Sequence, residues 1–311
     1  MTHHLSLELL PDLPEPTIAA EITRVPIESN VSIEVAMADA RQSPDDSTVL
    51  FFLPWSEYVS RPDATDRYRS LAVAFSARVI ALGNVGMGPG ASPLPATLRQ
   101  DIERGNFGGH ERMHLEALQR LSIPLGNVSL IGYSLGTGLA ARFARELEGY
   151  GTVDSLILGE PVGLTRQATL PLMGKFVHEI LFWGRDRTMV RRIHPDWMAA
   201  PTSYGATLKH FATHSRDYMA YPRGLATAPI IPDLRVAYDR TIDPDTPIRI
   251  VNGGGSVIST TADNDKFARS LIEIGYMNVT HDIYDDEVHG VIDVPRKIVA
   301  MLAAIHPETD E

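Results

Sequence analysis

A chain of 311 residues is long enough to form one large domain with an insertion, or two ordinary ones. Its 44% hydrophobic and 22% charged content excludes a disordered chain, and its lack of cysteine excludes a disulfide framework, a thiolate metal site and a cysteine nucleophile. A net charge of −11, from 39 acidic against 28 basic residues, opposes binding to nucleic acid or anionic lipid.

Met1 to Glu15 has no basic start and is broken by Pro11 and Pro14, so it does not read as a secretory signal. No apolar run of about 18 residues occurs. The expectation is a soluble cytoplasmic protein without membrane or nucleic-acid partners. The strongest basic cluster, Arg185, Arg187, Arg191 and Arg192, reads as a solvated helix face.

Ile18 to Val25 and Val31 to Met37 read as an opening antiparallel pair, and Thr48 to Leu53 as a strand buried on both faces. A helix over Asp66 to Ala77 carries Leu71, Ala72 and Phe75 on one side, and Arg78 to Leu82 is the next strand. Glu111 to Leu121 is helical, and Val128 to Tyr133 is a strand running into a helix with Leu135, Leu139, Phe143 and Leu147 at four-residue steps. Ser155 to Leu158 is a further strand. From Leu164 to about Asp239 the alternation stops, and this stretch reads as a helical, aromatic and methionine-rich insertion. The alternation resumes with the strand Ile248 to Val251, a helix with Phe267, Leu271 and Ile274, the strand Val279 to Tyr284, and a helix with Ile298, Leu302 and Ile305. Strands alternating with helices predict an α/β fold with a mostly parallel sheet. The domain reading is a core over residues 1–163 and 240–311 with a cap over 164–239.

Gly132-Tyr133-Ser134-Leu135-Gly136 matches G-x-S-x-G, with the strand before it and the helix after it that a nucleophile elbow requires. Its flanking glycines let the backbone pass closely, and the helix N-terminus aims N–H groups at a developing oxyanion. A serine nucleophile needs a base. Of the histidines, His289 follows the last strand beside Gly290 and precedes the last helix.

With these residues the sequence resembles the α/β-hydrolase superfamily from about Ile18 to Ile305, outside the cap. Gly83-Asn84-Val85-Gly86-Met87-Gly88 is similar to that family's D-x-x-G-x-G turn, with Gly83 in place of the aspartate. The resemblance implies an eight-stranded, mostly parallel sheet and a chain order of serine, acid, histidine. Where many members have His-Gly after the strand ending at Leu53, this chain has Pro54-Trp55-Ser56. Proline has no N–H to give, so the second oxyanion donor falls to Trp55 or Ser56, beside Leu135. At the position where many members carry the acid, this chain reads Gly253-Gly254-Gly255-Ser256, and serine cannot stabilise an imidazolium. Glu160, just after the strand Ser155 to Leu158, is the replacement; certain dehalogenases are similar in placing their acid there. Asp263 and Asp265 are the backups, and they also read as caps of the helix beginning near Thr261.

Two other motifs compete. His110-Glu111-Arg112-Met113-His114 matches the zinc motif H-E-x-x-H, but Ala117 and Arg120 stand where the extended form has glycine and histidine. The glycine turn with Ala91 matches a dinucleotide-binding G-x-G-x-x-A, yet Pro89 interrupts the helix start that would hold a pyrophosphate.

The cap offers Leu170, Leu172, Met173, Phe176, Leu181, Phe182, Trp183, Met189, Trp197, Met198, Tyr204, Phe211, Tyr218 and Met219, more than a small cap buries within itself. The resulting expectation is a carboxylesterase-like serine hydrolase needing no cofactor or metal. It cleaves an ester, thioester or lactone of a lipophilic small molecule through an acyl-enzyme on Ser134. Two alternatives stand beside it: a non-catalytic small-molecule-binding module on the same fold, and a zinc hydrolase built on His110 and His114.

Overall fold

The run Thr48–Phe52 is apolar at nearly every position because both of its faces are covered: Val49 and Phe51 enter one apolar cluster, Leu50 and Phe52 another, on opposite sides of a sheet. The computed structural model describes all residues except 7–9, 11, 12, 14, 29, 44–46, 56, 90, 177, 179–203, 286, 288–294 and 304–311. Its strands are β1 Thr2–Leu5, β2 Ala20–Glu28, β3 Val31–Asp39, β4 Thr48–Phe52, β5 Arg78–Leu82, β6 Asn127–Tyr133, β7 Thr152–Gly159, β8 Ile248–Gly253 and β9 Val279–Tyr284. They form one nine-stranded sheet in the order β1-β9-β8-β7-β6-β4-β5-β3-β2. β2 and β3 are antiparallel to their neighbours, and every other pair is parallel.

The longer helices among the described residues are α1 Pro62–Phe75, α2 Ala96–Glu103, α3 Gly108–Arg120, α4 Leu135–Glu146, α5 Tyr204–Thr227, which is kinked at His214, α6 Ile231–Ala237, α7 Thr261–Ile274 and α8 Pro295–Ala303, and residues 169–176 are helical as well. Tyr68 and Leu71 of α1 pack with Ile298 and Leu302 of α8 on one face. The other face is covered by α3, α4 and α7 through Leu118, Leu139, Phe143 and Leu271, joined by Tyr218 and Tyr221 of α5 and Leu234 of α6. The result is a mostly parallel α/β sheet with helices on both faces.

The sheet has one strand more than the eight expected. β1, Thr-His-His-Leu, is short and carries no apolar run, and it adds to the edge of β9 by parallel backbone pairing, with His3 Nδ1 2.9 Å from the Asp282 carboxylate. α2 also went unanticipated, because only Leu98 and Ile102 of its eight residues are buried. Between β7 and β8 the described residues form no strand, and Tyr218, Tyr221 and Leu225 of α5 and Leu234 of α6 lie in the same apolar cluster as β4 and α4. Residues Arg185, Arg187, Arg191 and Arg192, the aromatics Phe182, Trp183 and Trp197, and Ile305 lie outside the described residues.

Candidate active site

β6 ends at Tyr133 and α4 begins at Leu135, which leaves a single residue, Ser134, to turn the chain. It does so at φ 54°, ψ −119°, a conformation that costs a non-glycine residue about 1–3 kcal/mol and that persists only where its surroundings enforce it. The surroundings are the two glycines: a β-carbon at Gly132 would run into the backbone of Gly136 and Thr137, and one at Gly136 into the carbonyl of Phe52. Ser134 is 2% exposed, and its carbonyl accepts from the Thr137 hydroxyl at 2.6 Å and the Thr137 N–H at 3.1 Å, closing the first turn of α4. The Leu135 N–H, chosen from the sequence as an oxyanion donor, is thus in the first residue of a well-formed helix.

Beyond the strands the pairing continues into the site. The Ser134 N–H donates to Gly159 O at 2.8 Å, and the Glu160 N–H donates to Val251 O at 2.6 Å. Ser134 and Glu160 therefore stand at the carboxyl ends of adjacent parallel strands. Glu160 is fully buried and also has a positive φ, 51°. Its Oε1 accepts the backbone N–H of Gly253, at the end of the next strand. The turn that carries no acid in this sequence, Gly253 to Ser256, thus supplies from its first residue a donor to the Glu160 carboxylate on the neighbouring strand. Of the backup carboxylates, Asp263 is engaged with Thr260 in the cap of α7, its N–H donating to Thr260 Oγ1 at 3.2 Å. Asp265 stands 2.8 Å from the Nδ1 of His281. His289 and Ser56 lie outside the described residues.

Trp55 is held from three sides. Phe52 and Leu53, just before it, border the first turn of α4 through their carbonyls at Gly136. Just after it, the Glu57 N–H donates to Pro54 O at 3.4 Å, and the buried Glu57 carboxylate accepts from Arg67 of α1 at 2.6 Å. Its indole N–H donates to Tyr218 O at 2.9 Å, and its ring packs on Phe176, Phe211 and Tyr218 at centroid distances of 5.4, 6.0 and 6.4 Å. The Tyr218 hydroxyl in turn accepts the N–H of Gly88 at 3.0 Å. Of the cap residues picked out in the sequence, Leu172, Phe176 and Tyr218 are buried, whereas Leu170 is 84% exposed.

The H-E-x-x-H residues lie on α3 with both histidines fully buried, one turn apart. Their rings meet edge to face at 4.3 Å, and His114 places its Nε2 3.1 Å from the carbonyl of Gly83, where it can only donate. Among the described residues no three histidines, aspartates or glutamates converge as metal ligands. Burial pushes the proton affinity of His110 far down, helped by His114, and that of His114 down to about 4. Burial pushes the Glu111 carboxyl up, with Arg142 opposing. The arrangement is that of packed core histidines. The glycine turn after β5 is no dinucleotide loop either, because α2 starts only at Ala96, behind Pro95. Among the described residues no helix is long and apolar enough to cross a membrane.

No family model matches the chain, and no curated protein matches its sequence. Solved structures do. An alpha/beta hydrolase enzyme from a Medee basin deep-sea metagenome library is similar at a TM-score of 0.63 and 12% identity, over 93% of this chain and 99% of that one. The esterase EaEST from Exiguobacterium antarcticum matches at 0.57 and 14%, over 91% and 98%. The thioesterase domain from the curacin biosynthetic pathway matches at 0.56 and 15%, over 91% and 99%. The strand order, the turn at Ser134 and these likenesses agree: the chain has the α/β-hydrolase fold.

Proposed function

We propose that the chain is a serine hydrolase that cleaves a carboxylic ester, thioester or lactone of a lipophilic small molecule. The observation that carries this reading is the strained backbone of Ser134 between β6 and α4, which puts a hydroxyl at the N-terminus of a helix. The fold shared with an esterase and a thioesterase supports the ester class. His289, on the segment that follows β9, takes the proton of Ser134 Oγ as that oxygen bonds the acyl carbon. The N–H groups of Leu135 and of Trp55 or Ser56 hold the oxyanion. His289 then gives the proton to the departing alcohol or thiol, and water, deprotonated by the same imidazole, releases the acid and frees Ser134. Glu160 accepts from His289 and stabilises its imidazolium. The aromatic group of Trp55, Phe176, Phe211 and Tyr218 beside the oxyanion turn suits an apolar acyl chain.

Fluorophosphonate labelling read by intact mass and peptide mapping tests the proposal. One adduct on Ser134, lost in Ser134→Ala and slowed strongly in His289→Ala, is the expected result. A folded protein that takes up no adduct would instead be a binding module on this fold.

A further inference from the structure

The turn after β8 does more than end a strand. Its three glycines direct successive N–H groups to both neighbouring strand ends: Gly253 to Glu160 Oε1, Gly254 to Tyr284 O at 2.8 Å, and Gly255 to Glu287 O at 2.9 Å. The first holds the carboxylate after β7, and the other two hold the chain after β9, two residues short of His289. Glutamate has one more rotatable bond than aspartate, so a fixed donor on one oxygen is what gives the other a defined direction.

The turn is itself fixed from behind by Asn252, which is fully buried. Its Nδ2 lies 2.8 Å from Gly253 O, 3.4 Å from Thr261 Oγ1 and 3.5 Å from Ser259 O. A carbonyl only accepts, so the amide nitrogen must face Gly253 and the amide oxygen must face the other way. There it meets Nε2 of His281 at 2.5 Å, and that nitrogen must carry the hydrogen. The far side of the same ring, Nδ1, stands 2.8 Å from Asp265 of α7, and His281 is 1% exposed. A contiguous chain thus runs from Asp265 through His281, Asn252 and Gly253 to Glu160.

We infer that Asn252 and His281 are positioning residues for the acid of the site, acting through the Gly253 N–H and touching none of the reacting atoms. The inference rests on the reading of Glu160 as the partner of His289.

The test is a double-mutant cycle between Asn252→Ala and Glu160→Gln, read as the saturating rate of fluorophosphonate labelling of Ser134 across pH, with circular dichroism and melting as fold controls. Asn252→Ala alone slows labelling about tenfold or more at unchanged reagent affinity, because small displacements of catalytic geometry are that costly. It also moves the acid limb of the profile to lower pH, since an imidazolium without its carboxylate loses its proton more readily. In the Glu160→Gln background it adds nothing. His281→Ala reproduces the effect, and His281→Gln, which keeps a donor near the Nε2 position, restores most of the rate. If Asn252→Ala does not fold, the same cycle is run with His281→Ala. Equal slowing in both backgrounds, or no movement of the acid limb in Asn252→Ala, overturns the inference and leaves Glu160 as the acid. A Glu160→Gln protein with wild-type rate and profile overturns the reading of Glu160 and the inference with it.

Discussion

The buried histidine pair on α3 makes the protein's stability depend on pH in a way that one substitution isolates. His114 is fully buried with a pKa lowered from 6.5 to about 4. In the unfolded chain it takes up a proton as pH falls through its ordinary value, whereas in the folded chain it does so only near 4. Below the ordinary value the unfolded state therefore binds the extra proton, and stability is lost as pH falls between these two values. At 1.36 kcal/mol per pKa unit the full loss is about 3 kcal/mol, of which about 2 kcal/mol falls between pH 7 and pH 5. His110, shifted in the same direction, adds to this, and Glu111, raised by burial, runs the opposite way. The decisive quantity is the difference between the wild type and His114→Gln, which keeps a donor for Gly83 O but does not titrate. Urea unfolding at pH 7 and pH 5 should show the wild type losing about 2 kcal/mol more than the variant over that interval. Equal losses in the two proteins would refute the argument.

Three further outcomes are expected. Arg67→Met leaves the Glu57 carboxylate buried without its 2.6 Å partner beside the Trp55 turn, and should cost about 3 kcal/mol or more in urea unfolding; adding Glu57→Gln should recover most of the loss, and no recovery would mean that packing rather than charge carries the effect. Gly136→Ala drives a methyl group into the Phe52 carbonyl and should lower stability by about 2 kcal/mol while abolishing labelling of Ser134; an active, fully stable variant would contradict the close passage of α4 and β4. Treatment with 1,10-phenanthroline should leave labelling of Ser134 unchanged, because His114 is committed to Gly83 O; a loss reversed by zinc would restore the metal reading.

Ser134 stands out in the sequence because everything that defines its turn is local: the strand, the serine, the two glycines and the helix occupy one short stretch. The sheet's interior strands were legible for a similar reason, being apolar runs such as Thr48–Phe52 that only a doubly covered strand explains. β1 was not, because its pairing with β9 joins residues such as Thr2 and His281 by backbone bonds that leave no mark on composition.

The sequence by itself determined the α/β alternation, the serine's strand-to-helix turn, and the lack of a carboxylate at Ser256, because each is written in residues close along the chain. Only the tertiary structure decided what those features face. Glu160 acquires its place from strand ends far apart in sequence, where Val251 receives its N–H and Gly253 gives one back. The zinc-like pair at His110 and His114 has the right spacing for a metal, but spacing along a helix fixes only direction. Burial of α3 is what seats both rings in the core, where His114 packs on Phe52 of β4 and turns its Nε2 to the carbonyl of Gly83.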